Sequence, residues 1–343
     1  MIQKINMEKN NSDQINKVLI TGIGGFVGSH LADYVLEKFP NTQVLGLIRW
    51  WEPRENIKHI LDKITLCYGD LVDLPSLEAI IGEHRPDVIF HMAAQSYVDF
   101  SFLAPITTLE TNVIGTANLL ESVKKLKLSS GYDPIIHIAS SSECYGQVKE
   151  NETPIKETNV FRPASPYAVS KVAEDMLALQ YWLSWKVKTI RTRMFTHTGP
   201  RRGEVFAESN FAKQIAAIEA GLQAPVIKVG NLNSVRTFLD IKDALRAYWL
   251  LISKCSPGEV YNVGGKETMT VGEMLNKLIG LSTVKDIKIE VDPARLRPSD
   301  VTLQIPCIDK FVEATGWKPE IKFDQTLKDI LNYWRDYFKR NIN

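Results

Sequence analysis

The sequence predicts an α/β protein: a doubly wound parallel sheet (Rossmann type) followed by a smaller, partly discontinuous α/β lobe. Three observations carry this. Short apolar runs alternate with segments of helical periodicity from Lys17 to Met194, a glycine-rich turn follows the first of those runs, and the alternation loosens beyond Pro200. Strands joined through helices need right-handed crossovers, which place helices on both faces of a parallel sheet.

The elements follow in order. Residues 18–21 form an apolar run ending in the glycine turn, and helical periodicity spans 26–39. Strands are expected at 43–48, 64–68, 88–92, 135–139 and 188–194, with helices at 74–83, 109–126 and 166–185 between them. Further on, helices are expected at 209–220, 240–254 and 271–281, with short strands at 226–229 and 259–263. The later segments do not extend the first sheet neatly. The chain therefore divides into a mobile polar leader, 1–16, a region at 17–199 that is mainly dinucleotide-binding, and a region at 200–343 that is mainly substrate-binding. Some segments of the last return to the first domain, and a cleft lies between the two.

Composition narrows the function. With 343 residues and 44% apolar content the chain can bury a full core. The 41 basic and 40 acidic side chains almost cancel, so no global field attracts nucleic acid or an anionic membrane, and any bound anion must be held locally. Cys67, Cys144, Cys255 and Cys307 form neither a metal-type pair nor a disulfide framework, which fits reduced thiols in a cytoplasm and no metal. No apolar run is long enough for a membrane span, and the N-terminal stretch lacks the apolar core of a signal peptide.

Thr21-Gly-Ile-Gly-Gly-Phe-Val-Gly28 places Gly22, Gly25 and Gly28 between a strand and a helix. A pyrophosphate at that helix N-terminus needs backbone close enough for N–H groups to reach it, and a Cβ at those positions would obstruct it. An ordinary glycine turn is the plain alternative. After the second strand comes Arg49, whose guanidinium suits a 2′-phosphate and so favours NADP; Glu52, three residues on, is the residue that would serve a ribose instead. Asp70 and Leu71 follow the third strand, where an aspartate contacts an adenine or caps a turn with the same signature.

Tyr167 and Lys171 lie four residues apart, on one face of a helix opened by Pro166. The ammonium lowers the phenol pKa from its usual value near ~10 towards neutrality, making a base. The strand ending at Ala139 runs into Ser140-Ser-Ser-Glu-Cys-Tyr-Gly146 at the carboxyl edge of the sheet, where ligands bind in such folds. Ser141 there can bond a substrate hydroxyl beside Tyr167. Glu143 offers a base for a proton α to a carbonyl, and then an acid for a departing hydroxyl. As structure alone, the serines would be turn formers and Glu143 a solvated helix-start carboxylate.

Together, Gly22-x-x-Gly25-x-x-Gly28, His91-Met-Ala-Ala94, Asn112-Val-x-Gly115-Thr, Ser141-Ser-Glu143 and Tyr167-x-x-x-Lys171 resemble the extended short-chain dehydrogenase/reductases that act on nucleotide sugars. Ser141-Ser-Glu-Cys-Tyr-Gly146, Gly199-Pro-Arg-Arg-Gly-Glu204, Val229-Gly-Asn-Leu-Asn-Ser-Val-Arg236 and Leu296-Arg-Pro-Ser-Asp300 resemble GDP-mannose 4,6-dehydratases and relatives acting on GDP-manno-heptose. The resemblance implies an NADP-dependent GDP-sugar 4,6-dehydratase, in which Ser141, Tyr167 and Lys171 carry hydride chemistry and Glu143 the elimination. It further implies cofactor contacts from Phe26, Val27, Ala93, Arg201 and Arg202, the last two on a loop that also assembles oligomers, so a homodimer or homotetramer is expected. Substrate contacts are implied for Ser96, Thr196, His197, Lys213, Val229, Arg236, Arg297 and Asp300. Thr196 stands where such dehydratases usually carry asparagine, leaving hexose and heptose both open. A 4-keto-sugar reductase, a 4-epimerase and a non-catalytic NADP-binding module are the alternatives.

Overall fold

The computed structural model describes residues 15–297, 299 and 301–341, so most of the leader and Asp300 lie outside the described residues. The elements run β1 (Lys17–Thr21), α1 (Phe26–Lys38), β2 (Gln43–Ile48), β3 (Thr65–Tyr68), α2 (Leu74–His84), β4 (Val88–His91), α3 (Val98–Leu103), α4 (Pro105–Leu109), α5 (Gly115–Ser130), β5 (Ile135–Ser141), α6 (Pro166–Trp185) and β6 (Thr189–Met194). There follow β7 (His197–Thr198), α7 (Ala207–Glu219), β8 (Val226–Val229), β9 (Val235–Thr237), β10 (Leu239–Asp240), α8 (Ile241–Lys254), β11 (Val260–Val263), β12 (Thr268–Thr270), α9 (Val271–Gly280), β13 (Lys288–Val291), β14 (Leu303–Gln304), α10 (Asp309–Thr315) and α11 (Phe323–Asn341).

Seven parallel strands form the main sheet in the order β11-β6-β5-β4-β1-β2-β3. The sequence order reverses between β1 and β4, and the carboxyl ends of that pair, Thr21 and His91, open the crevice where such sheets bind ligands. Alternation along β1 sends Val18 and Ile20 into one core with α1 and α8, and Leu19 into the opposite core with α2 and α5. A turn of π-helix at Glu110–Ile114 joins α4 to α5, an irregularity of the kind found near functional sites.

The second lobe has its own core. Phe211 and Ile215 of α7, Met274 and Leu278 of α9, and Leu327, Ile330, Leu331 and Trp334 of α11 bury one another over β8. The sequence reading contains neither α11 nor the two- and three-residue strands β7, β9, β10, β12 and β14. It expects the later segments not to extend the first sheet neatly and some of them to return to the first domain; β11 joins that sheet beside β6 in register Val260↔Arg191. A hydrogen bond ties the chain there: Arg191, a charged residue within a buried strand, donates from Nη2 to the Gly258 carbonyl just before β11.

One buried cluster ties α6 to the sheet. Asp175 on α6 accepts Arg191 Nη1 at 2.8 Å and Arg193 Nε at 2.9 Å, all three side chains being buried. Removing one partner from such a cluster leaves uncompensated charge. Asp175→Ala is therefore expected to destabilise the fold by about 3–5 kcal/mol in denaturant unfolding; a loss below about 1 kcal/mol, the range of exposed pairs, would contradict this account.

Candidate active site

The site is a cleft of about 1440 Å³ between the carboxyl ends of the main-sheet strands and the second lobe. A single small-molecule pocket is usually ~300–1,000 Å³, so this cleft has room for two ligands. Its floor is the glycine turn. Gly22 has φ +66°, and a Cβ on it would fall 2.8 Å from Ala93 Cα; a Cβ on Gly28 would fall 2.3 Å from the Gly22 carbonyl oxygen. Glycine is thus required both for the turn and for the packing of α1 against it. Gly25 caps α1 without a side chain, leaving the positive end of that helix turned to the cleft beside Phe26 and Val27.

Arg49 lines the same end of the cleft, half-exposed, with Nε 3.3 Å from Glu52 Oε2 and its guanidinium 5.7 Å from the Trp51 ring centre. Both the cation and the carboxylate singled out after β2 therefore stand there together. Asp70 and Leu71 line the cleft as well, and Asp70 Oδ1 accepts the Val72 amide, capping its own turn. Ala93 donates its amide to Thr21 Oγ1 at 3.0 Å, which pins the end of β4 to the end of β1.

The chemistry-bearing residues meet where β5 ends against α6. Ser165 caps α6, accepting the Ala168 amide at 3.1 Å, and Pro166 opens the first turn. That fixes Tyr167 and Lys171 in the cleft wall. Lys171 Nζ donates to the Ala139 carbonyl at 3.0 Å and to Glu174 Oε2 at 2.9 Å. Burial alone would lower its pKa, but Glu174 and the Tyr167 phenol outweigh that and raise it, so the ammonium persists. Burial also raises the Tyr167 pKa above its usual value; Lys171 and a hydrogen bond with Ser141 pull it down without overcoming burial. The sequence argument expects a net fall, because it counts the ammonium and cannot count desolvation.

Ser141 Oγ accepts the Glu143 amide at 3.2 Å, starting the 3-10 turn Ser142–Cys144. Glu143 lines the cleft with Ser141 and Tyr167, and it is near enough for its charge to act on the phenol. Its Oε1 accepts Gln304 Nε2 at 3.0 Å. Behind α6, Asn112 in the π-turn donates to Ser170 Oγ at 2.8 Å and to the Gln95 carbonyl at 3.0 Å, holding the helix against the loop after β4.

The remaining predicted contacts divide. Ser96, Thr196, Lys213, Arg236 and Arg297 line the cleft. Lys213 is ion-paired with Glu204, and Arg297 Nε reaches Asp99 Oδ1 at 2.5 Å, bridging from the second lobe to α3. Val229 does not line the cleft: its side chain is buried in the second core, and Gly230 and Asn231 after it do so instead. Asp300 lies outside the described residues. His197 lines the cleft as well, and its ring stacks on that of Phe26 at the start of α1, 5.9 Å between centres. Burial and Arg202 lower its pKa to about 3. The neutral ring donates Nδ1–H to the Phe195 carbonyl at 3.1 Å, leaving Nε2 as a buried acceptor with no partner among the described residues. Arg201 and Arg202 both line the cleft: Arg202 lies over the Phe206 ring at 3.6 Å, Arg201 pairs with Asp33 through Nη2 at 2.7 Å, and among the described residues Arg202 Nε and Arg201 Nη1 are buried without a hydrogen-bond partner.

Glu174 and Gln304 were not identified from the sequence. A carboxylate at that spacing from Lys171 on an amphipathic helix, and a glutamine in a short strand, carry no motif.

Comparisons with known proteins fit this geometry. The family model for GDP-mannose 4,6 dehydratase matches residues 19–330. The GDP-6-deoxy-D-mannose reductase of Pseudomonas aeruginosa is 35% identical, covering 93% of this chain and 97% of that one. The GDP-mannose 4,6-dehydratase of Yersinia enterocolitica is 31% identical, covering 92% and 93%. The solved structure of RMD from Pseudomonas aeruginosa complexed with NADPH superposes with a TM-score of 0.80 at 33% identity, covering 94% of this chain and 99% of that one. With a parallel dinucleotide-type sheet, a Tyr167–Lys171 pair at its carboxyl edge and a family match over nearly the whole chain, the protein belongs to the GDP-mannose 4,6-dehydratase family of nucleotide-sugar enzymes.

Proposed function

We propose that the protein is an NADP-dependent GDP-sugar 4,6-dehydratase, converting GDP-mannose or GDP-manno-heptose to the 4-keto-6-deoxy sugar. The observation that carries this reading is Glu143, a carboxylate in the cleft beside Ser141 and Tyr167 and braced by Gln304. Hydride transfer alone needs the serine, tyrosine and lysine; a braced carboxylate is what an elimination adds.

The cleft fits a dinucleotide. Gly22 and Gly28 leave a cradle that a Cβ would fill, the α1 N-terminus favours a pyrophosphate, and the unpartnered His197 Nε2 offers an acceptor for an amide N–H. Arg49 supports NADP over NAD, by pairing with a 2′-phosphate. Held by the glycine turn and Arg49, NADP would supply the acceptor for a hydride from C4 and the donor of a hydride to C6.

The chain's own residues do the rest. Tyr167, as a phenolate stabilised by Lys171, takes the 4-hydroxyl proton while Ser141 orients that hydroxyl. The 4-ketone acidifies the C5 proton, which Glu143 removes; the C–H electron pair becomes the C5–C6 double bond, and the C6 hydroxyl departs as water with the proton Glu143 gained. C6 then receives the hydride, and C5 a proton equal to the one Tyr167 accepted. Arg236 and Arg297 are assigned to the diphosphate. An apolar stripe of Val169, Met176 and Leu183 stands exposed along α6, with Leu103 and Ile106 exposed on α3 and α4, which supports a homo-oligomer.

A 4-keto-sugar reductase is the second reading, favoured by the 35% identity to such an enzyme. In that case Glu143 would be idle. Incubation with GDP-mannose or GDP-manno-heptose and no added reductant is expected to yield the dehydrated ketone by mass analysis; no ketone, with stoichiometric NADPH consumption on a 4-keto sugar, would reject the dehydratase. Glu143→Gln is expected to bind NADP and GDP-mannose normally while turnover falls about 10²–10⁴-fold, and undiminished turnover would reject its role. Lys171→Met removes a charge that lowers the Tyr167 pKa, so the pKa rises further and the acid limb of the kcat/KM profile should move to higher pH. An unmoved limb would show that the ammonium does not govern the phenol.

A further inference from the structure

β14 crosses from the second lobe to the turn that carries Glu143. Its Gln304 is 2% exposed, although its amide needs hydrogen-bond partners. Nε2 donates to Glu143 Oε1 at 3.0 Å, and Oε1 accepts Ser142 Oγ at 3.0 Å. A carboxylate only accepts, so the NH₂ must face Glu143 and the carbonyl must face the hydroxyl. The amide thereby grips two successive residues of the Ser142–Cys144 turn. Replacing it with a side chain of equal volume but no amide would leave Ser142 and Glu143 in place yet unbridged.

The strand pairing adds a second connection. β14 runs parallel to β9 with Gln304 opposite Arg236, and Arg236 Nη2 donates to the Val301 carbonyl at 3.0 Å. An arginine lining the cleft and the glutamine behind Glu143 are thus neighbours on two short strands. A ligand drawn to Arg236 acts on the same strand pair that holds the carboxylate.

We propose that Gln304 is a positioning residue for the elimination step. It holds Glu143 by Oε1, leaving Oε2 for the sugar, and ties the carboxylate to the strand pair that meets the diphosphate. This rests on the dehydratase reading. In the step concerned, Glu143 Oε2 takes the C5 proton, the C5–H electron pair forms the C5–C6 double bond, and the C6–O bond breaks. The departing hydroxyl takes that proton from Glu143 and leaves as water, regenerating the carboxylate. A carboxylate free to rotate would still bind beside the sugar but would spend less time aimed at C5.

The test compares the full-length wild type with Gln304→Met, which keeps the volume and removes both hydrogen bonds, and with Ser142→Ala, which releases the amide from its other side. GDP-mannose and GDP-manno-heptose are the substrates. Ketone release, KM and the transient absorbance of reduced cofactor are measured for each. Gln304→Met is expected to slow ketone release about 10- to 100-fold, the factor for losing one hydrogen bond to a charged group. KM should stay within about twofold, and reduced cofactor should accumulate because hydride removal at C4 outpaces elimination. Ser142→Ala should give the same split more weakly, and it serves alone if Gln304→Met fails to fold. Wild-type dehydration with unimpaired ketone release in the variants overturns the proposal alone. So does a parallel loss of hydride removal and ketone release, the sign of a merely structural role. A wild type that makes no ketone from either substrate overturns the dehydratase reading and the proposal with it.

Discussion

An ammonium group buried in the protein interior is costly unless its charge is matched, and Lys171 is such a group. Two acceptors meet it: the Ala139 carbonyl in the last part of β5 and the Glu174 carboxylate one turn further along α6. Keeping both in reach requires α6 to lie at one depth and one rotation against β5. The Asp175 cluster with Arg191 and Arg193 enforces that from the sheet side, and Asn112 with Ser170 enforces it from the π-turn side. Tyr167, one turn before the lysine, is then carried into the cleft with no freedom of its own. The position of the phenol thus follows from how the fold accommodates one charge.

The two lobes divide the remaining work. The main sheet supplies the turn, the positive helix end and the Tyr167–Lys171 pair, all rigid because each is built into a strand end or a helix start. The second lobe supplies arginines and, through β14, the amide that braces Glu143. A carboxylate on one lobe steadied by a glutamine from the other makes the geometry of the site depend on how the lobes meet. The Asp99–Arg297 pair, running from α3 to the loop before β14, is a second such tie.

Much of the first sheet was legible because its strands are continuous apolar runs and its helices carry a 3.6-residue pattern. Gln43–Ile48 and Pro166–Trp185 fall where the sequence places them. The short strands β7, β9, β10, β12 and β14 were not, since two or three residues hold no periodicity and become strands only through pairing across the fold. α11 is a different case: Phe323, Leu327, Ile330, Leu331 and Trp334 follow a helical stripe with charged residues on the other faces, an amphipathic pattern that is present in the sequence and that the sequence reading leaves out. Among the site residues, glycines and the Tyr167–Lys171 spacing were readable because backbone and helix geometry dictate them. The stacking of His197 on Phe26, the burial of Val229 and the direction of the Tyr167 pKa depend on what surrounds each residue, which no local pattern records.

The central claim is that one hydride leaves C4 and returns to C6 of the same sugar while Glu143 removes water between the two events. GDP-mannose, or GDP-manno-heptose, carrying deuterium at C4 tests it directly, with the product examined by NMR after incubation without added reductant. The account predicts deuterium at C6 of the released 4-keto sugar. Deuterium retained at C4, or a C6 hydroxyl left intact, would contradict it.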